Sequence, residues 1–252
     1  MALDWRLQFA TTLAKPVPEA YPGGPSHEAG ATVTVVSVVQ TTDGAPIAFP
    51  APSAAALALG AATRAAKAAD VMKREFRFKP GVSPDGDVRI LDGAATTQLF
   101  DYFEHCFVAA VFSVQALEAY CNYKIALNLK ENLTIERRGQ PQELSPDEVE
   151  RQLSIDEKLG ETLPRLLGVA SPKGRSEWEQ YVHLRRLRDA TVHIKSHHQW
   201  TLAHRDFDES PYSWFVQQSP LEIPLPAIQL LRCFAVEHER GWLDHAQMLL
   251  GA

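Results

Sequence analysis

The sequence has few cysteines, and their arrangement suggests neither a disulfide framework nor a zinc site. Cys106, Cys121 and Cys233 are an odd number, lie far apart and form no Cys-x-x-Cys pair. Such cysteines are typical of reduced thiols in the cytosol. We therefore expect them to be small buried side chains.

The chain also lacks a long hydrophobic run. Its longest mostly apolar stretch, residues 106–114, is far shorter than the roughly 20 residues that a bilayer crossing requires. Asp4 and Arg6 interrupt the apolar residues that a secretory signal would need near the N-terminus. The sequence therefore predicts a cytoplasmic protein that has no membrane segment.

An excess of positive charge is missing as well. The chain has 25 Lys and Arg against 31 Asp and Glu, for a net charge of −6. This balance excludes a histone-like nucleic-acid binder, so any such contact must come from a local basic patch. The glycine-rich phosphate and dinucleotide motifs and the G-x-S-x-G elbow are also absent, which argues against nucleotide hydrolysis, nicotinamide chemistry and serine hydrolysis.

Two regions differ in composition. Residues 1–93 contain nine of the 17 prolines and have balanced charges, whereas residues 94–252 hold the whole negative excess. In the first region we expect a strand over Thr32–Val39, a turn at Asp43-Gly44, an alanine-rich helix from Ser53 to about Arg74, and a strand, turn and strand over 76–90. We therefore predict a small α+β N-terminal extension over residues 1–93, and nothing in it indicates a chemical role.

The second region, residues 94–252, has the pattern of helices. Between Leu99 and Lys130 the apolar positions step by three and four. These positions are Phe100, Phe103, Phe107, Ala110, Val114, Leu117, Cys121 and Ile125. A hydroxyl followed three residues later by Glu predicts helix starts at Ser145, Ser154 and Ser176.

Gly168 predicts the end of a helix, and further helices are expected over 177–195 and 226–250. The chain is thus predicted to be mainly α, with an antiparallel bundle of four or five helices after the extension.

The candidate chemistry lies in residues 183–204, which contain five of the nine histidines. Arg185, Arg186, Arg188 and Lys195 form a basic patch in which Asp189 is the single acid. On a helix, Asp189 and His193 lie on one face, so the carboxylate can accept one imidazole N–H and leave the other nitrogen as a base.

An arginine can hold a phosphate, while a neutral histidine takes the proton of a ribose 2′-hydroxyl. Arg188 and His193 lie about 140° apart around an ideal helix, which favours a site shared by two subunits.

Residues 188–193, RDATVH, resemble the signature of the HEPN superfamily, the nucleotide-binding helical domain of higher eukaryotes and prokaryotes. Residues 111–125 resemble the long first helix of that domain, and residues 154–168 resemble the segment before its signature helix. The likeness covers about residues 94–252. It departs from the common pattern at Asp189, where asparagine is frequent.

The resemblance implies a homodimeric, metal-independent endoribonuclease that needs no cofactor. Its catalytic residues would be Arg188, His193 and Asp189, and Glu118 is a possible support that orients the arginine. Arg185, Arg186 and Lys195 would bind RNA. Such proteins serve as toxins or anti-phage effectors, and a partner antitoxin or sensor protein restrains them.

Other interpretations stay open. A catalytically silent module of this type would bind nucleic acid, a nucleotide or a protein. Arg188 could instead form a surface ion pair with Glu179 or Asp189. His193 and His197 could bind a metal with Asp206 or Asp208. Glu118 could be a structural partner, while Tyr120, Tyr123 and Trp178 could stack on bases or fill the core. Arg240 and His245 repeat the spacing of Arg188 and His193, and we expect both to face solvent.

Overall fold

The computed structural model describes residues 4–8, 10–19, 26–83, 86–137, 139–194 and 210–251. The chain is mainly helical with a small β part, which confirms the predicted class at that level. The helices are α1 (Ala54–Glu75), α2 (Thr96–Asn128), α3 (Pro146–Gln152), α4 (Ile155–Glu157), α5 (Leu163–Leu167), α6 (Ser176–Val192), α7 (Pro211–Gln217), α8 (Leu225–Arg232) and α9 (Glu237–Leu250). A π-helical stretch, Lys158–Thr162, joins α4 to α5, and 3₁₀ turns cover Gly93–Ala95 and Pro220–Glu222.

The strands form four separate antiparallel pairs in the described residues. They are β1 (Ala10–Thr12) with β2 (Thr32–Thr34), β3 (Val36–Gln40) with β4 (Pro46–Pro50), β5 (Phe78–Ser83) with β6 (Gly86–Leu91), and β7 (Leu133–Arg137) with β8 (Gln140–Leu144). The single strand predicted over Thr32–Val39 is wrong, since β2 and β3 pair with different partners. The predicted turn at Asp43-Gly44 and the hairpin of β5 and β6 are confirmed.

The long helix α2 is central to the core. It packs against α1, α3, α5, α6, α7 and α8. Its alanines Ala109, Ala110 and Ala116 are fully buried, and alanines line the buried face of α1 as well. Small side chains let helix axes approach closely, because the separation is set by the residues at the contact. The boundary predicted near Gly93 falls between two helices that share this core.

The predicted stripe on α2 is only partly correct. Ala110, Val114, Leu117, Cys121 and Ile125 are buried, and Phe103 and Phe107 pack at the edge of the core. Phe100, in contrast, is 59% exposed. The buried sector extends instead to Tyr102, Cys106 and Ala109, because α1 covers a second side of the helix.

Local signals place most helix starts. The Ser53 hydroxyl accepts the N–H of Ala56, and Ser145 and Ser154 form complete capping boxes. The predicted helix start at Ser176 is confirmed, but the capping box there does not form, because Ser176 is the first helical residue and Arg175 precedes it without a side-chain cap. Gly168, with φ +66°, ends α5 as predicted.

The single final helix predicted over 226–250 is also wrong. The chain turns between α8 and α9, where the N–H groups of Phe234 and Ala235 both donate to the Leu231 carbonyl. Phe234 and Ala235 are buried. The backbone changes direction where these two side chains enter the core. The spacing of apolar residues in the sequence does not predict such a change of direction.

Two side chains fasten α7 to the rest of the bundle. Lys73, in the last turn of α1, donates to the carbonyls of Val216 at 2.8 Å and Gln218 at 2.5 Å. The buried Tyr102 hydroxyl on α2 donates to the carbonyl of Phe215. These contacts satisfy carbonyls at the end of a short helix that would otherwise lack partners.

A buried polar cluster joins α9 to α2. The Lys124 ammonium lies 2.7 Å from Glu239 Oε1, and the Tyr120 hydroxyl donates to Glu239 Oε2 at 3.0 Å. The side chains of Lys124 and Glu239 are only 6% and 10% exposed. Glu239 also accepts the Val236 N–H, so the cluster fixes the start of α9.

Across the residues that the structure describes, none of the helices is both long and apolar enough to traverse a membrane.

Replacing Glu239 by Gln should destabilise the protein by about 3–5 kcal/mol, because the buried Lys124 charge would lose its partner. Urea unfolding followed by circular dichroism measures this loss. The matched control is Asp244→Asn, which removes a carboxylate 61% exposed that pairs with Arg232. An exposed pair contributes about 0–1 kcal/mol, so equal losses in the two variants would contradict the cluster's role.

Candidate nucleic-acid interface

Helix α6 carries the predicted basic cluster. Its inward-facing side chains are Tyr181, Leu184, Leu187 and Thr191, all buried. These residues hold α6 against α2 and α8. Glu177 and Glu179 lie in the first turn, where negative charge favours the helix dipole. The arginines therefore lie at the edges and on the outer face of a well-anchored helix.

Arg185 is held by residues outside α6. Its guanidinium pairs with Asp156 Oδ2, and the Tyr181 hydroxyl donates to Asp156 Oδ1 at 2.5 Å. Burial and the neighbouring Asp156 carboxylate raise the pKa of Tyr181, which keeps its hydroxyl protonated as a donor. Arg185 thus ties α6 to α4, and the Asp156 carboxylate already neutralises its charge.

Arg188 lies one turn further along α6 and is 27% exposed at its side chain. Its Nη1 is 3.1 Å from Asp189 Oδ1. Its buried Nε has no hydrogen-bond partner among the described residues. The Arg185 Nε is in the same state, so the part of the Arg188 guanidinium available to a ligand is its exposed edge, which pairs with Asp189.

The remaining basic residues differ in their surroundings. Arg186 is exposed on the outer face of α6, and it forms no ion pair with any residue that the structure describes. Lys195 lies outside the described residues. Arg186 and Arg188 are thus the arginines of the cluster best placed to meet a phosphate.

His193 marks the end of α6. Its backbone N–H donates to the Asp189 carbonyl at 2.9 Å, and its side chain is exposed. Its backbone angles, φ −115° and ψ 61°, leave the helical path. Within the described residues, the Asp189 carboxylate contacts Arg188 and forms no bond with the imidazole. The helical stacking expected between Asp189 and His193 requires His193 to be part of the helix, whereas α6 ends one residue earlier, at Val192.

Glu118 lies on α2 and is partly buried. It lies three residues before the buried Cys121, on the helix that packs against α6. It makes no hydrogen bond to an arginine in the described part of the chain.

The cysteines are unsuited to nucleophilic chemistry. Burial raises the pKa of Cys106 to about 12 and also raises the pKa of Cys121, while Cys233 is partly buried with a raised pKa. A thiol with a raised pKa is protonated at neutral pH and is a poor nucleophile. The expectation of buried thiols is confirmed for Cys106 and Cys121.

Most of the aromatic side chains considered for base stacking are used inside the protein. Tyr120 is buried against Glu239, and Trp178 packs on Tyr181 with ring centroids 5.1 Å apart. Tyr123 is 38% exposed. Arg240 is exposed as expected, but His245 is partly buried and stacks on Trp5 at 4.9 Å.

No group of three or more metal-ligating side chains occurs among the described residues. His197, Asp206 and Asp208, which belong to the metal alternative, lie outside those residues.

Sequence reasoning missed Asp156 and Tyr181. The capping box at Ser154 places Asp156 in the first turn of a helix, but no local signal pairs it with Arg185, 29 positions later. Comparisons of the chain with protein-family models, with curated proteins and with solved structures gave no match.

Replacing Asp156 by Ala should cost about 1–3 kcal/mol of stability, because the buried Tyr181 hydroxyl and Arg185 both lose their acceptor. Thermal and urea unfolding measure the loss. Tyr181→Phe supplies a double-mutant cycle. Its cost should shrink in the Asp156→Ala background, and strictly additive losses would contradict the coupling.

Proposed function

We propose that the chain is a metal-independent endoribonuclease with a HEPN-like helical bundle, and that it cuts RNA at a site built from Arg188 and His193. One observation carries the proposal. A partly exposed guanidinium, paired only with the adjacent Asp189 among the described residues, and an exposed imidazole lie close in sequence at the end of one anchored helix.

The chemistry follows from these two groups. Neutral His193 takes the proton from a ribose 2′-hydroxyl, and the 2′-oxygen attacks the adjacent phosphorus. The bond from phosphorus to the 5′-oxygen breaks, and the leaving oxygen takes up a proton from water. The products carry a 2′,3′-cyclic phosphate and a 5′-hydroxyl. Arg188 binds the nonbridging oxygens, on which negative charge increases in the transition state.

The Asp189 carboxylate pairs with the Arg188 guanidinium and not with the His193 imidazole. An exposed ion pair contributes about 0–1 kcal/mol, so Arg188 can exchange it for a phosphate at little cost. Until then, the pair keeps the guanidinium beside the end of α6. Arg186 would follow the RNA backbone, and Lys195 is proposed for the same role. Glu118 is proposed as the carboxylate that helps to orient Arg188.

A shared site in a homodimer is part of this proposal. On an ideal helix Arg188 and His193 would be about 140° apart, which favours a site to which a second copy brings its own pair. Val192, beside His193, is 51% exposed and offers apolar surface for such a contact. By analogy with the resembled superfamily, the activity would serve as a toxin or anti-phage effector restrained by an antitoxin or sensor protein.

His193→Ala should lower RNA cleavage by about 10²-fold or more, the usual contribution of a general base, without changing the fold. The assay incubates the purified full-length protein with a labelled RNA pool and analyses the product ends. His183→Ala is the matched control, because His183 is also exposed on α6. Cleavage should persist in EDTA and leave cyclic phosphate ends.

Equal cleavage by the wild type and His193→Ala would refute the catalytic role. Loss of cleavage in EDTA would favour the metal alternative with His197.

The second candidate is a silent module that binds RNA. The specific observation in its favour is that Asp189 contacts Arg188, which leaves the His193 imidazole without a carboxylate partner among the described residues.

For such a module, replacing Arg186 and Arg188 together by Ala should weaken RNA binding and reduce the salt slope by about two, one for each phosphate contact. His193→Ala should leave binding unchanged. Fluorescence anisotropy over a salt series measures both quantities. The double variant Arg64→Ala and Arg74→Ala, which removes two exposed arginines from α1, controls for the loss of charge alone. An unchanged salt slope in the double variant would contradict phosphate contact by these residues.

A further inference from the structure

The backbone hydrogen bonds of the hairpin formed by β3 and β4 show which residues of β3 face β4. The Thr41 N–H donates to the Ala45 carbonyl at 2.9 Å, and the Ala51 N–H donates to the Val35 carbonyl at 2.8 Å. In an antiparallel pair, the backbone groups of successive residues point alternately toward the partner strand and away from it. In this register the odd-numbered residues of β3 therefore bond to β4, and the even-numbered residues point to the opposite edge.

The residues at that outer edge are Val36, Val38 and Gln40. Because β3 and β4 form a sheet of only two strands, the outward N–H and carbonyl groups have no strand partner over the residues whose structure is described. The side chains are exposed as well, that of Val38 by 66%. A row of free backbone groups on an exposed strand can pair with another strand.

The other strands have features that oppose such pairing. β4 contains Pro46 and Pro50, and the register places both at its own outer edge, where their missing N–H groups would have pointed. Proline or charged side chains also occur in β5, β6, β7 and β8, while β1 and β2 have three residues each. Among the described strands longer than three residues, β3 alone has neither proline nor charge.

The charge pattern of the hairpin fits a second copy of the same strand. Residues 29–63 contain a single charged side chain, Asp43, which lies in the turn between β3 and β4. When two copies of β3 pair antiparallel around Val38, their turns lie at opposite ends of the sheet. The Asp43 carboxylates are then more than about 30 Å apart, at roughly 3.4 Å per residue. No charged side chains face each other across this contact.

We propose that two copies of the chain pair through their β3 strands and form a four-stranded antiparallel sheet in the order β4-β3-β3-β4. Val38 then lies opposite Val38 of the partner subunit, and Val36 lies opposite Gln40 of the partner subunit. Each opposed pair exchanges two backbone hydrogen bonds, so every outward N–H group of β3 gains an acceptor. The contact uses none of the residues proposed for RNA cleavage.

Disulfide cross-linking of the full-length protein tests this register. Val38→Cys is made in a Cys233→Ser background, in which the remaining native cysteines, Cys106 and Cys121, are buried. The Cα atoms of two hydrogen-bonded residues opposite each other are about 5.5 Å apart, which is within disulfide range. Mild oxidation should therefore convert Val38→Cys into a disulfide-linked dimer.

Two further cysteine variants in the same background are the controls. Ala48 is exposed and lies opposite Val38 within the hairpin, but its two copies would be three strand spacings apart, about 14 Å. Val36 is also exposed, and its two copies would be offset by four residues along the strands, about 14 Å. Ala48→Cys and Val36→Cys should therefore cross-link at least about tenfold more slowly than Val38→Cys. Equal rates in the three variants would overturn the proposal.

Removal of the Val38 N–H tests the hydrogen bonds between the two strands. Val38→Pro should raise the dissociation constant of the dimer by about tenfold or more, because each copy loses one donor. Sedimentation velocity over roughly 1–100 µM protein measures this constant. Ala48→Pro removes an N–H from the edge that already holds two prolines, so it should leave the dimer unchanged. A monomeric wild type in this range, or an unchanged constant in folded Val38→Pro, would also overturn the proposal.

Discussion

The burial of α2 is the constraint on which the rest of the structure depends. Ala109, Ala110 and Ala116 have no exposed surface, and α1 packs against this helix more extensively than any other element does. Each Å² of apolar surface removed from water stabilises the fold by about 25 cal/mol, and small side chains add close van der Waals contact. The candidate nucleic-acid interface lies on α6, which packs against α2.

The helix α2 supports neighbours on more than one side. Its Tyr120 hydroxyl donates to Glu239 of α9, and α6 packs against it as well. Consecutive residues are about 100° apart around a helix, so one long helix can hold several neighbours in place. The basic patch on α6 is therefore compatible with a chain whose net charge is −6, because the positive charge is concentrated on one helix.

Carboxylate partners decide what each arginine of α6 does. Asp156 fixes Arg185 as a link between two helices, and Asp189 holds Arg188 loosely at the surface. Arg186 remains exposed. A guanidinium already paired with a carboxylate has less attraction left for a phosphate, so three neighbouring arginines differ in their capacity to bind RNA.

The sequence by itself determined the features that depend on contacts within a few residues. The capping boxes at Ser145 and Ser154, the stop at Gly168 and the β5 and β6 hairpin could be predicted because their hydrogen bonds are local. The tertiary structure alone decided the break before α9, the pairing of Asp156 with Arg185, the Glu239 cluster and the end of α6 at Val192. These features depend on contacts between side chains that are far apart in sequence. The spacing of residues along the chain does not predict such contacts.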